Sequence, residues 1–411
     1  MLTRRVVVTG MAGFSPIGND WDEMRASLLA QHSGIRYLAD WEKYNGLLTR
    51  LGGPVDNFSL PPHYTRKNTR SMGRVSLLAT RASELALIDA GLLGDPVISD
   101  GRTGVAYGSS VGSTPAIADF GKMLINNDIG NLNATTYLKM MGHTTAANVA
   151  LFFQVRGRVI PSVSACTSGS QGIGFAYEAI KFGLQDVMLA GGAEELCATE
   201  AATFDALYAT STRNDEPHLT PRPFDRDRDG LVIGEGGCTL VLEELGRASA
   251  RGARIYAEVA GFATNADGSH ITQPYAETMQ VVMRLALQDA GLEPVQIAYL
   301  SAHGTATEQG DIAESQASYA VFGSATPISS LKSYTGHTLG ACGALESMAA
   351  IQMMRESWFH PTLNLDHPDP RCAELDYIVG AGRKINAEYV MSNNFAFGGV
   401  NTSLVFRRWE S

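Results

Sequence analysis

LALIDAGL at residues 85–92 returns as LALQDAGL at residues 285–292, with seven of eight positions identical. Each copy reads as the end of an amphipathic helix stopped by a glycine, which accepts the left-handed conformation that closes a helix. The same order of elements recurs around each copy. A strand running into glycine comes first, RRVVVTGM (4–11) in one half and RIYAEVAGF (254–262) in the other. An apolar strand ending at a glycine-bearing turn follows, VAYGSSVG (105–112) and IAYLSAHGT (297–305). The octamer alone is a common helix ending; the shared order around it argues for a duplicated α/β chain. The halves would be 1–250 and 251–411, meeting near Gly246–Gly252.

Outward from the repeat, apolar runs at 5–8, 105–107, 187–189, 238–242, 255–259 and 297–300 read as buried strands. Segments 76–92, 169–182, 279–291 and 343–355 read as helices. Apolar residues make up 45% and charged residues 18% of the 411, which fits a well-packed globule. No apolar run is long enough to span a membrane. The short run in the N-terminal MLTRRVVVTG reads as a strand, not as the core of a signal peptide. Five cysteines, with no CxxC and no Cys/His metal spacing, point to free thiols in a reducing, cytoplasmic setting. A net charge of −10 speaks against a general nucleic-acid binder.

Three glycine-flanked segments carry chemistry. SVSACTSGSQGIG (162–174) places Cys166 at the start of a helix, where the macrodipole favours thiolate. SAHGTATEQGD (301–311) places His303 in a loop after a strand, where the hydroxyls of Thr305 and Thr307 could orient its imidazole. SSLKSYTGHTLGACGALES (329–347) places His337 between Lys332 and Glu346, a pair able to hold position and tune charge beside an imidazole. Any one of these histidines is as readily structural as catalytic; a cysteine and two histidines in such settings together point to covalent acyl transfer. The other cysteines, 197, 238, 342 and 372, read as packing or surface residues. A fourth segment, MSNNFAFGGVNTSLVF (391–406), reads as two strands about the turn Gly398–Gly399, with Asn401 bracing it; an N–H here could pair with that of Cys166 as an oxyanion hole.

Together with AGGAEE (190–195), STRND (211–215) and RPFDRDRDGLVIGEGG (222–237), these segments closely resemble the elongating type II β-ketoacyl-[acyl carrier protein] synthases of the thiolase-like superfamily. The resemblance covers nearly the whole chain. It implies a five-layered α-β-α-β-α fold built from two duplicated halves. It implies decarboxylating condensation of an acyl group held on Cys166 with a malonyl carrier thioester, in fatty-acid or polyketide elongation, without metal or organic cofactor. Cys166, His303 and His337 would be catalytic, with Lys332 and Glu346 in support. The N–H groups of Cys166 and Phe397 would form the oxyanion hole, and Phe397 would gate the acyl pocket, whose walls would include Val111, Phe204, Thr305 and Thr307. The partners implied are acyl carrier proteins and a second copy of the chain, or a chain-length-factor subunit in a heterodimer. Carriers are acidic, and TRKNTRSMGR (65–74) offers Arg66, Lys67, Arg70 and Arg74 without an intervening acid; the three arginines would share one helix face, and Arg213 would add to the docking surface.

Three departures from the family pattern stand out. Ala396 replaces a glycine beside the gate, which implies a stiffer hinge. Glu308–Gln309 replace a proline stretch. Cys342 and the SLKSY form of the lysine segment look more like the aryl polyene branch than like housekeeping synthases. A chain-length factor would lack Cys166, and a CoA-dependent thiolase would carry a second cysteine where this chain has His337.

Overall fold

The computed structural model describes residues 3–130 and 132–410. Among them, one hydrogen-bonded sheet takes eleven strands. In chain order these are β1 (Val6–Phe14), β2 (Thr103–Gly108), β3 (Val159–Pro161), β4 (Val187–Glu194), β5 (Gly236–Glu244), β6 (Ala257–Ala266), β7 (Ile297–Ser301), β8 (Pro327–Ser329), β9 (Asp376–Tyr377), β10 (Tyr389–Ala396) and β11 (Val400–Arg408). Across the sheet they lie β9-β8-β7-β10-β11-β6-β1-β5-β4-β2-β3.

This order is palindromic about its centre. From β1 outward, β5 and β4 each add antiparallel, then β2 and β3 parallel. From β6 outward, β11 and β10 add antiparallel, then β7 and β8 parallel. The two sets join through a short antiparallel ladder, Val6–Val8 against Ala257–Val259.

Six helices cover the sheet faces: α1 (Arg74–Asp89), α2 (Thr144–Phe152), α3 (Ser168–Lys181), α4 (Ala276–Ala290), α5 (Glu308–Phe322) and α6 (Cys342–Glu356). The strands alternate sides, as their period of two requires. Val187 and Leu189 of β4 pack with α1 and α2 in one core, and Met188 and Ala190 pack with α3 and α6 in another. A third core holds α4 and α5 against the second set of strands. The layers are therefore helices, sheet, the central pair α3/α6, sheet, helices. Burial on both faces explains why the strands read as unbroken apolar runs. No helix among the described residues is long and apolar enough to cross a membrane.

The repeated octamer has a structural cause. Asp89 accepts the N–H of Met11 in β1 at 2.9 Å and the hydroxyl of Tyr256 at 2.8 Å. Asp289 accepts the N–H of Phe262 in β6 at 3.1 Å and the hydroxyl of Tyr177 at 2.9 Å. Each aspartate ties the end of its helix to an inner strand of its own set. The glycine before each anchored strand residue, Gly10 and Gly261, packs on the backbone of Ala86 and Ala286, where a Cβ would collide with a carbonyl oxygen. Gly91 and Gly291 close the two helices with φ of +66° and +68°.

Several strands outrun their apolar signal. β4 continues through Gly191 and Gly192 to Glu194, because the backbone of Gly340 packs where a Cβ on Gly192 would lie.

The duplicated packing predicts equal sensitivity in the two halves. Gly10→Ala and Gly261→Ala are each expected to cost about 1–3 kcal/mol through overpacking, read as a lowered urea midpoint at unchanged slope.

Candidate active site

Cys166 sits on a single 3-10 turn, Ala165–Thr167, between β3 and α3, and Ala165 adopts a left-handed φ of +51° to make that turn. His337 lies in the matching connection of the second set, between β8 and α6, and His303 follows β7. All three leave the carboxyl ends of parallel strands, where open α/β sheets place their sites.

The geometry brings the three together. His337 Nε2 lies 2.9 Å from Cys166 Sγ, and the two imidazoles meet edge to face at 5.2 Å. Lys332 Nζ donates to His303 Nδ1 at 3.1 Å, and Asn394 Nδ2 approaches the same nitrogen at 3.3 Å. The N–H of Leu339 donates to His337 Nδ1 at 3.3 Å. A nitrogen that accepts carries no proton in neutral imidazole, so both rings hold theirs on Nε2. Distances alone would let Cys166, His303 and His337 share a cation. Ligation through Nε2 needs the proton on Nδ1, which these donors oppose, so the site is built as a pair of N–H donors.

Burial sets the charges. It drives His303 and His337 well below the ordinary histidine value, and the nearby Lys332 ammonium adds to the shift. Lys332 and Glu346 form a buried ion pair at 2.5 Å. Burial opposes the charge on Lys332, but Cys342 and Glu346 outweigh it and raise its pKa. The second oxygen of Glu346 accepts Asn394 Nδ2 at 2.6 Å. Burial pushes the Cys166 thiol up to about 11; Lys332 and the N–H groups of Phe397 and Cys166 pull the other way. Desolvation thus outweighs the helix-terminus preference for thiolate expected from the sequence.

A cavity of about 420 Å³ opens onto Cys166, His303 and His337 and is walled by Phe204, Phe395 and Phe397. The Phe204 and Phe397 rings pack at 4.9 Å. The gate turn is braced by a neighbouring loop: Gly398 donates to the Ile271 carbonyl at 2.7 Å, and Asp267 donates to that of Gly399 at 2.8 Å. Asn401 reaches the Asp267 carboxylate at 2.7 Å.

Several sequence expectations need correction. Thr305 and Thr307 line the cavity but bond to each other at 2.9 Å, while Lys332 and Asn394 orient the His303 ring. Lys332 contacts His303, not the histidine nearer in sequence. Val111 is half-buried and outside the walls of this cavity, since it lies in the turn after β2. Ala396 ends β10 outside the left-handed region, which falls to Gly398 and Gly399, so the alanine strains nothing here. The basic segment is not one helix: Arg66–Thr69 ends, Gly73 is extended, and α1 begins at Arg74. Arg74 is spent on a two-pronged ion pair with buried Glu235. Arg213 is half-buried against Asp229. Arg66, Lys67 and Arg70 are exposed.

Three site residues lacked a role in the sequence reading. Asn394 links Glu346 to His303. Glu314 accepts the N–H groups of His303 and Gly304, both at 2.7 Å, and shapes their loop. Cys342, read as a packing or surface cysteine, opens α6 beside the site and directs its thiol to the Cys166 carbonyl at 3.2 Å. An asparagine or glutamate contacting a loop backbone has no local sequence signal.

A buried thiol against two N–H-bearing imidazoles, at the junction of two matching strand sets, defines a condensing enzyme of the thiolase-like fold. The chain belongs to the beta-ketoacyl synthase family: the family's N-terminal domain matches residues 3–248 and its C-terminal domain residues 256–366. It is 38% identical to 3-oxoacyl-[acyl-carrier-protein] synthase 2 of Vibrio cholerae, over 99% of this chain and 100% of the relative. A beta-ketoacyl synthase from Burkholderia phymatum superposes with a TM-score of 0.98 at 60% identity, covering 99% of this chain and 100% of that one. A type II PKS ketosynthase solved in complex with its acyl-carrier protein matches with a TM-score of 0.88 at 33% identity, over 99% and 100%.

The proton map has a direct readout. In spectra of ¹⁵N-histidine-labelled protein, His303 and His337 are expected to stay neutral with Nε2–H as pH falls through 6.5. Lys332→Met removes the repelling charge and is expected to raise the pKa of both rings. It also leaves Glu346 buried without its cation, at a cost of about 3–5 kcal/mol.

Proposed function

We propose that this condensing enzyme carries its acyl group on Cys166 and uses His303 and His337 for the malonyl half-reaction, with both substrates delivered on acyl carrier proteins. The observation that carries the reading is that both imidazoles present Nε2–H at the thiol. The Cys166 sulfur attacks the acyl thioester carbonyl, the carrier's C–S bond breaks, and the carrier thiol leaves with the proton. The N–H groups of Cys166 and Phe397 stabilise the tetrahedral oxyanion. A malonyl thioester then replaces the spent carrier, and its carbonyl oxygen accepts both Nε2–H bonds. Its C–COO⁻ bond breaks, carbon dioxide leaves, and the electron pair becomes an enolate held by those bonds. The enolate carbon attacks the Cys166 thioester carbonyl, Cys166 leaves as thiolate, and a β-ketoacyl carrier results. In this scheme residues 1–250 supply the thiol and 251–411 the imidazoles. Lys332, Glu346 and Asn394 act through His303. No step calls on a metal or organic cofactor.

A thiolase reading would need a second thiol facing substrate. Cys342 is absent from the cavity wall and turned to the Cys166 carbonyl, which favours the synthase. A chain-length-factor role has no observation in its favour. Exposed Arg66, Lys67 and Arg70 support carrier docking; Arg74 and Arg213 do not join them, because each already has a carboxylate partner. A homodimer is our reading of the assembly, and a cytoplasmic setting fits the five free cysteines.

Two experiments test this function. His303→Ala and His337→Ala are each expected to lower carbon dioxide release from malonyl carrier by about 10²–10³-fold, the scale of one lost oxyanion donor, while Cys166 still takes an acyl adduct by mass spectrometry. Loss of the adduct with decarboxylation intact would reverse the assignment. Charge reversal at Arg66 and Arg70 is expected to raise KM for carrier-borne substrates and leave that for free pantetheine thioesters unchanged. Equal KM values in wild type and variant would remove the patch from docking.

A further inference from the structure

Glu200 is buried with 7% exposure, and neither carboxylate oxygen has a hydrogen-bond partner. No cation pairs with it among the described residues, and burial, followed by the nearby Glu194, Cys197 and Glu195, raises its pKa well above the carboxylate range. The group is a neutral carboxylic acid with one donor and one acceptor site left open. Such a group costs stability unless something binds it.

Its position says what. Glu200 lies on the helix Ala198–Asp205, four residues before Phe204, and i, i+4 residues share a helix face. Thr199, Ala202 and Thr203 of that helix face outward. Ala201 and Phe204 face inward and pack in one cluster with Cys166. Phe204 also meets the Phe397 gate. Glu194 lies near enough to both Cys166 and Glu200 to bear on the ionisation of each. Its carboxylate is taken by the N–H groups of Ser110 at 2.6 Å and Gly340 at 3.0 Å. Glu194 is thus a fixed structural link, and Glu200 is the free group beside it. The acidic side chains here do not converge as metal ligands would: neither of the buried ligand clusters among the described residues includes them.

We propose that Glu200 is a recognition group in the acyl pocket and that the acyl chain this enzyme accepts carries a hydroxyl group, which Glu200 binds. The proposal rests on the reading that Cys166 carries the acyl group. One hydroxyl satisfies both open positions, donating to the carboxyl C=O and accepting from the carboxyl O–H. A keto oxygen satisfies only the donor, and a saturated alkyl chain satisfies neither. A site built to hydrogen-bond a substrate hydroxyl rejects the analogue that lacks it far more strongly than an apolar pocket sorts chains by length.

The test offers a length series of acyl-pantetheine thioesters, each as the saturated chain and as its terminally hydroxylated form. The rate of adduct formation on Cys166 is followed by intact-protein mass spectrometry. Wild type is expected to favour the hydroxylated member at some length by about tenfold or more. Glu200→Gln keeps a donor and an acceptor and is expected to retain the preference; Glu200→Leu is expected to bring the ratio to one or below. If Glu200→Leu does not fold, the wild-type and Glu200→Gln ratios decide. A wild-type ratio at or below one at every length overturns the role of Glu200, as does an undiminished preference in Glu200→Leu, and in both cases the adducts leave the Cys166 reading standing. No adduct from any thioester overturns both.

Discussion

One buried ion pair governs the chemistry of this site. Lys332 and Glu346 are almost wholly removed from water, their side chains 1% and 2% exposed. Such a pair is weak support for stability, since desolvating two charges can cancel their attraction, but it is a strong constraint on geometry. Lys332 has only protons to give, and one goes to His303 Nδ1. Glu346 has only lone pairs, and one holds Asn394, whose amide nitrogen approaches the same Nδ1. The pair therefore decides which nitrogen of His303 faces the thiol with a proton. Its ammonium also helps keep both histidines neutral and draws the Cys166 thiol back toward ionisation.

Around that pair the duplicated fold acts as a positioning device. Equivalent connections of the two strand sets, β3 to α3 and β8 to α6, deliver Cys166 and His337 to within 2.9 Å of each other. The approach depends on small residues in the central helix layer: a Cβ at Gly169 would press on the backbone of Gly340 and Ala344. Dryness is the other half of the design. It weakens the resting nucleophile, and it strengthens every N–H aimed at charge that develops during reaction.

Much of this was legible in the chain. The octamer LALIDAGL/LALQDAGL carries a repeated hydrogen-bonding task, performed by Asp89 and Asp289, so the duplication could be read directly. Cys166, His303 and His337 stood out because each sits in a glycine-flanked break after an apolar strand. What could not be read depended on three-dimensional neighbours. Asn394 is one polar residue in a strand-like run, and nothing local says that it faces Glu346. Cys342 looked like helix packing because its partner, the Cys166 carbonyl, is far away in sequence. The basic run 65–74 suggested one helical face because i, i+4 spacing ignores Gly73, which is extended and lets Arg74 turn to Glu235.

The central claim is a division of labour: the thiol stores the acyl group while the two imidazoles generate the attacking carbanion. A single-turnover chase tests it most directly. Enzyme preloaded with an isotopically labelled acyl group on Cys166 is mixed with malonyl carrier, and the label on the protein, the carbon dioxide released and the label on the carrier are followed together. The account predicts that label leaves Cys166 and appears in β-ketoacyl carrier in step with an equal amount of carbon dioxide. Release of the label as free acid, or carbon dioxide formed with the Cys166 adduct untouched, would contradict it.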